Sequence, residues 1–276
     1  MQTILLTSLP RSGSTWASQA IAVATRSRLI HEPFNWKRYP EREKYHMLYL
    51  PAGSNKLEMI EIIEKESTPK IPFINKLMKD KPVVLKDVHL CLALEYIWEQ
   101  IEPFIIILIR HPCGMANSWM KLNYEVRFRL DLLLSQQNLM QDYLYPFEDH
   151  LSLNKDKWFE IGAYWGATQY VLDQISKAHR EWMWITHEEL CDNSANRYQR
   201  LLNNLGISID PMGQKRLISF LGRHDRMIIE NKPYSVSRIS VNEPDKWRKT
   251  LTQEQIKSVF AGAEPFGILQ KFYNGV

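Results

Sequence analysis

The sequence predicts an α/β fold: a single domain with a central four- to five-stranded parallel sheet flanked by helices. Three observations point there. Short apolar, β-prone runs alternate with longer helix-patterned stretches, the order that right-handed crossovers turn into a parallel sheet covered on both faces. The run Phe104–Ile109 is apolar throughout, as a strand buried on both faces requires. No internal repeat or low-complexity linker divides the 276 residues, so one domain over 1–276 is expected.

The elements follow in order. Residues 3–9 are apolar and end at Pro10 and a Ser/Gly cluster, which reads as strand, turn and then a helix over about 14–26. Residues 31–54 look irregular, broken by Pro33, Pro40, Pro51 and Gly53. An amphipathic helix is expected over 55–66 with Asn55 near its cap. Val83, Val84 and Leu85 make a second strand ending at Lys86 and Asp87, and 90–101 reads as a helix. The strand Phe104–Ile109 leads to His111 and Pro112, with the proline in a helix's first turn, where its missing N–H costs nothing. Residues 122–157 are helical in flavour but polar and irregular; 158–179 read as a long amphipathic helix and 182–186 as a fourth strand. Further helices fall near 194–205, 211–222 and 252–261, and 224–250 form a long loop rich in Arg, Lys, Ser and Asn.

Bulk composition bounds the function. A net charge of +4 without a dominant Lys/Arg run is too mild to argue for nucleic acid and suits a small anionic ligand. The longest apolar run is far too short to span a bilayer, so no membrane span is expected. The N-terminus lacks the charged region of a signal peptide. Cys91, Cys113 and Cys191 offer neither a disulfide framework nor metal-ligand spacing, which points to reduced thiols in a cytoplasmic protein without a metal.

The strand–loop–helix at the N-terminus is a ready anion site, because loop N–H groups and the helix dipole aim at one spot. Gly13 lets the backbone approach, Ser12, Ser14 and Thr15 add hydroxyls, and Arg11 adds a planar cation. The loop lacks the first Gly and the Lys of GxxxxGK[ST], and no acidic strand end pairs with it to hold magnesium, which argues against ATP or GTP chemistry. Arg110 ends the strand Phe104–Ile109, where the carboxyl end of a parallel sheet opens a ligand crevice. Ser118 lies two turns along the next helix, on a face shared with His111.

Pro10-Arg11-Ser12-Gly13-Ser14-Thr15-Trp16 resembles the 5′-phosphosulfate loop of sulfotransferases that use 3′-phosphoadenosine-5′-phosphosulfate (PAPS). Cytosolic members commonly carry Lys where this chain has Arg11; carbohydrate-directed and bacterial members often carry Arg. The strand ending in Arg110, with Ser118 eight residues later, resembles the family's 3′-phosphate motif. The resemblance implies a P-loop NTPase-like fold, PAPS as sulfuryl donor, PAP as product, and no metal. It makes Arg11 to Trp16, Arg110 and Ser118 donor-binding residues. Arg238, in a late basic loop before Trp247, would close over the 3′-phosphate, although the family's Arg-Lys-Gly is absent and the spacing is longer. His187 stands at the strand end that meets adenine in the family.

Sulfuryl transfer is an in-line displacement: the acceptor oxygen needs a base and the leaving phosphate needs cations. Arg11 fits the second role. Glu32, in Glu32-Pro33-Phe34, lies 21 residues after Arg11 and resembles the Glu base of carbohydrate and bacterial branches. His89, three residues after Lys86, resembles the His base of cytosolic members, displaced by one residue. Asp87 is a third candidate, Lys86 would touch the sulfuryl group or the acceptor, and His31 is a lesser helper. A Glu base would need its pKa raised by a partly dry pocket.

The acceptor pocket is expected from 31–54, 122–157 and 224–246, with Trp36, Tyr39, Tyr45, Tyr124, Tyr143 and Tyr145 available to stack on a sugar or aryl ring. The resemblance of Glu32-Pro33-Phe34 favours the hydroxyl of a glycan or other alcohol, rather than a phenol, as acceptor. The chain would be a monomer or a dimer. A P-loop kinase of a small molecule and a non-catalytic nucleotide-binding protein of the same fold remain the rival readings.

Overall fold

A computed structural model of the protein describes residues 2–68, 82–192, 194–226 and 244–273. Five strands form one parallel sheet in the order β2-β3-β1-β4-β5: β1 (Thr3–Ser8), β2 (Arg28–His31), β3 (Val83–Asp87), β4 (Phe104–Ile109) and β5 (Met183–Thr186). The predicted architecture is therefore observed, with one strand beyond the four placed from the sequence. That strand, β2, is a four-residue edge strand, too short for an alternating pattern to register.

Successive strand residues point to opposite faces, so each strand feeds two cores. Ile4, Leu6, Val84, Ile106 and Leu108 share one core with α1 (Ser14–Thr25) and with Leu190, Tyr198, Leu202 and Leu217. Leu5, Leu85, Ile105, Ile107 and Ile109 pack on the other face.

The remaining helices are α2 (Leu57–Ser67), α3 (Leu94–Ile101), α4 (Pro112–Lys121), α5 (Arg127–Leu134), α6 (Lys157–Ser176), α7 (His187–Cys191), α8 (Ser194–Asn204), α9 (Pro211–Arg226), α10 (Gln253–Ala263) and α11 (Ile268–Phe272), with short helical turns over 137–152. α3 starts four residues later than the sequence suggests, because residues 88–93 turn under the site before the helix begins.

α6 is not amphipathic. It is buried on nearly all sides, since α4, α5 and α10 all pack against it. Two glycines bring α6 and α10 into backbone contact: a Cβ at Gly162 would lie 2.0 Å from the Val259 carbonyl oxygen, and one at Gly262 would lie 2.2 Å from that of Phe159. α6 in turn braces the site, because Trp165 Nε1 donates to the Arg110 carbonyl at 2.9 Å.

Candidate active site

The carboxyl ends of β1, β2, β3 and β4 open into one cavity of about 520 Å³, within the range of small-ligand pockets. Its two ends are built differently.

At one end stands the phosphate loop. β1 ends at Ser8, and the chain turns through Arg11 (φ 72°) and Gly13 (φ 88°) into α1. Left-handed backbone at an arginine is strained and persists only where neighbours hold it. Two long-range contacts hold this one. Arg110 Nη1 donates to the Arg11 carbonyl at 2.9 Å, and Trp119 Nε1 donates to the Pro10 carbonyl at 2.9 Å. Gly13 caps α1 without a side-chain hydrogen bond, so the first-turn N–H groups are left to an anion. The same glycine is required for space: a Cβ there would meet His187 Nδ1 at 2.4 Å.

Arg11, Gly13, Ser14, Thr15, Trp16, Arg110 and His187 all line the cavity. Ser12 is buried and off its wall, although its hydroxyl was expected to face the ligand. Ser118 is reached through Arg11, whose Nε donates to Ser118 Oγ at 3.0 Å. The two phosphate motifs, about a hundred residues apart, are thus one hydrogen-bonded unit. His111 does not share that face. As the N-cap of α4 it accepts from the Cys113 N–H, and its ring stacks on Trp247 at 4.4 Å. Arg238 lies outside the described residues.

At the other end stand the side chains of the β2 and β3 termini. Lys86 and Glu32 form an ion pair inside the cavity wall, and Asn35 Nδ2 donates to the second Glu32 oxygen at 2.9 Å. Burial works to raise the Glu32 pKa, but Lys86, together with His31 and Asn35, outweighs it and holds the carboxyl below its ordinary value. The dry pocket therefore does not by itself supply the raised pKa that a Glu base would need.

Asp87 is fully buried and off the cavity wall. Its two oxygens accept the Phe34 N–H at 2.9 Å and the His89 N–H at 2.7 Å, which ties the Glu-Pro-Phe segment to β3. Burial pushes its pKa up to about 7 against the pull of those amides. Its place is that of a staple, and it does not face the cavity as a base would.

His89 lines the cavity, and its Nδ1 lies 2.8 Å from Nδ1 of His46. Arg129 of α5 donates from Nη1 to His46 Nε2 at 3.2 Å and also lines the cavity. Burial lowers the pKa of His46 to about 3 and that of His89 to about 4. Of the six aromatic residues expected to meet an acceptor, Trp36 and Tyr124 line the cavity. Tyr39 stacks on Arg42, Tyr45 bonds Glu58, Tyr143 packs on Tyr49, and Tyr145 is exposed. His31 is on the wall beside Thr15, 3.3 Å from its hydroxyl.

Sequence reasoning missed His46 and Arg129. Arg129 carried a signal: Val126, Leu130 and Leu133 form a buried helical stripe, and Arg129 sits three residues after the first of them, on that same face. His46, in an irregular stretch, carried none. Among the described residues, no cluster of His, Cys, Asp or Glu could hold a metal ion.

With this geometry in hand, comparison with known proteins is decisive. The sequence model of the sulfotransferase domain matches residues 1–263. The chain belongs to the sulfotransferase family.

The fold agrees. The sulfotransferase domain of the Synechococcus PCC 7002 olefin synthase aligns over 96% of this chain and 94% of its own at 14% identity and a TM-score of 0.51. The sulfotransferase domain from the curacin biosynthetic pathway aligns over 96% and 98% at 13% identity and a TM-score of 0.52. A mouse sulfotransferase complexed with PAP aligns over 98% and 89% at 15% identity, but its TM-score of 0.49 is too low to bear on the fold. No curated protein matches the sulfotransferase. Its reaction is therefore sulfuryl transfer, and no helix among its described residues is long and apolar enough to cross a membrane.

Proposed function

We propose that the sulfotransferase moves the sulfuryl group of PAPS onto a hydroxyl of a glycan or other alcohol, with Glu32 as base. One observation carries the reading: the Glu32–Lys86 pair shares a single cavity with the phosphate loop and Arg110.

The donor's two phosphates match two anion sites. The α1 N-terminus and its loop suit the 5′-phosphosulfate, while Arg110 and Ser118 suit the 3′-phosphate on the flank of α4. His187 packs so close to Gly13 that any side chain at that position would collide with it and disturb the loop.

Lys86 then has a second anion to serve. A sulfuryl group arriving above the loop competes with Glu32 for the ammonium, and Lys86 turning to it frees the carboxylate to accept a proton. The acceptor O–H proton passes to Glu32, the acceptor oxygen bonds sulfur, and the sulfur–oxygen bond to phosphate breaks with its electron pair leaving on PAP. Arg11 and the loop amides neutralise that charge. Lys86 thus restrains the base until the donor is bound. Three buried free thiols suit a cytoplasmic setting for this chemistry.

The test combines binding and turnover. PAP should raise the melting temperature, ATP with Mg²⁺ should not, and labelled PAPS should transfer to a hydroxyl acceptor in a panel. Stabilisation by ATP–Mg²⁺ alone would instead support phosphoryl chemistry. Binding of PAP with no transfer to any acceptor would support a non-catalytic role.

A further inference from the structure

We propose that Arg129 and His46 are positioning residues that fix His89 with its proton on Nε2, making His89 a hydrogen-bond donor to the acceptor oxygen. The guanidinium of Arg129 can only donate. Its Nη1 lies 3.2 Å from His46 Nε2, so that nitrogen presents its lone pair. A neutral imidazole with its lone pair on Nε2 carries its proton on Nδ1. His46 Nδ1 faces His89 Nδ1 at 2.8 Å, and one of the two must accept. His46 donates, His89 Nδ1 accepts, and the proton of His89 is left on Nε2.

Two further observations agree. His89 Nε2 is buried and has no hydrogen-bond partner among the described residues, while the ring itself lines the cavity. A buried N–H without a partner calls for an acceptor atom, and a substrate oxygen supplies one. The backbone also fixes the ring's position: the His89 N–H donates to Asp87 Oδ1 at 2.7 Å, and its carbonyl accepts the Met47 N–H at 2.9 Å.

The charged groups around His89 are Glu32, Lys86, Lys37 and Arg129, with His46 against its ring. Burial outweighs the attraction of Glu32 and keeps the imidazole neutral near pH 7. Protonating Nδ1 would set two N–H groups head to head between the rings. His89 is thereby barred from taking a proton at the cavity without breaking the chain of bonds behind it.

This inference rests on the reading of Glu32 as base, and it completes that reading. An N–H from His89 to one lone pair of the acceptor oxygen leaves the other lone pair for sulfur and directs the O–H toward Glu32. The proton still passes to Glu32, so the balance of the transfer is unchanged.

The decisive measurement is ¹⁵N NMR of the histidine rings in the full chain. The expected result is a protonated Nδ1 on His46 and a protonated Nε2 on His89, with neither ring titrating between pH 6 and 8. A protonated Nδ1 on His89, or either ring titrating in that interval, would overturn the proposal. Arg129→Met should mix the two tautomers at His89, and Arg129→Lys, which restores a donor, should return the wild-type spectrum. Unchanged spectra in Arg129→Met would remove Arg129 from the relay. Kinetics add a separate check: His89→Gln, which keeps an N–H donor, should retain at least tenfold more kcat than His89→Ala. Equal losses would overturn the donor role. The NMR result is independent of PAP binding, so loss of the PAPS reading and loss of this one can be told apart.

Discussion

The two ends of the cavity solve the same problem, holding charged groups in a dry site, by different means. The donor end is built mostly of backbone: a helix N-terminus, a glycine at positive φ, and a strained arginine whose own carbonyl is clamped by Arg110. The acceptor end is built of side chains that neutralise one another, with Glu32 on Lys86 and His89 on His46 on Arg129. Backbone donors need no counter-charge and wait for the phosphates unchanged. Paired side chains must exchange partners before they can act. The donor end should therefore control binding, and the acceptor end should control turnover.

The sharpest way to break this contrast is Glu32→Gln. It should lower kcat by roughly 10²- to 10⁴-fold, the ordinary span for a general base, and leave PAP affinity within a few-fold of wild type. Single-turnover transfer and PAP titration read both quantities. Retained kcat would remove Glu32 as base, and a matching loss of PAP affinity would erase the division between the ends. Arg11→Ala comes next and is the exception to that division: Arg11 stands at the donor end, but its charge acts on the leaving phosphate, so kcat in single-turnover transfer should fall about 10²- to 10³-fold.

Arg110→Ala tests the binding role of the donor end. Losing a charged contact to the 3′-phosphate should raise the KM for PAPS about 10- to 100-fold with a smaller change in kcat. Arg110 also clamps the loop, so part of its effect should appear as a weaker response of the melting temperature to PAP.

Acid should weaken the fold as a whole, through His46 and His89 at the acceptor end and through His111 stacked on Trp247. The pKa values of His46 and His111, about 3, and of His89, about 4, all lie below the ordinary 6.5. The unfolded chain therefore binds more protons below pH 6.5, and stability falls as pH falls through that window. Asp87, raised to about 7, works in the opposite direction as its carboxyl takes up a proton in the fold first. Three histidines against one carboxyl leave a net loss on the order of 3 kcal/mol between pH 6.5 and 5, read by urea denaturation at both values. Greater stability at pH 5 would show that Asp87 dominates.

The smallest effect lies away from both ends. Gly162→Ala should cost roughly 1–3 kcal/mol by forcing α6 off α10, with little change in the KM for PAPS. A large KM change would mean that α6 transmits strain to Arg110 through Trp165.

How much was legible in the sequence follows the same division. The run Phe104–Ile109, the loop from Pro10 to Trp16, and the step from Arg110 to Ser118 were readable because each is a local pattern on consecutive residues. The short edge strand Arg28–His31 was not, because four mixed residues carry no period. The buried surround of the 158–179 region was misread as one-sided, since only packing shows that α10 covers the second side.

The sequence by itself determined the fold class, and it offered a loop suited to an anion and a list of candidate bases. Tertiary structure decided what each candidate can do. Glu32, Asp87 and His89 are all plausible bases as residue types, and they differ only in their partners. Lys86 restrains Glu32, two amides occupy Asp87, and Arg129, reaching through His46, sets the proton on His89. Partners brought together from 43 to 83 residues away leave no trace in local sequence, because protonation state depends on the neighbours in space and not on those in the chain.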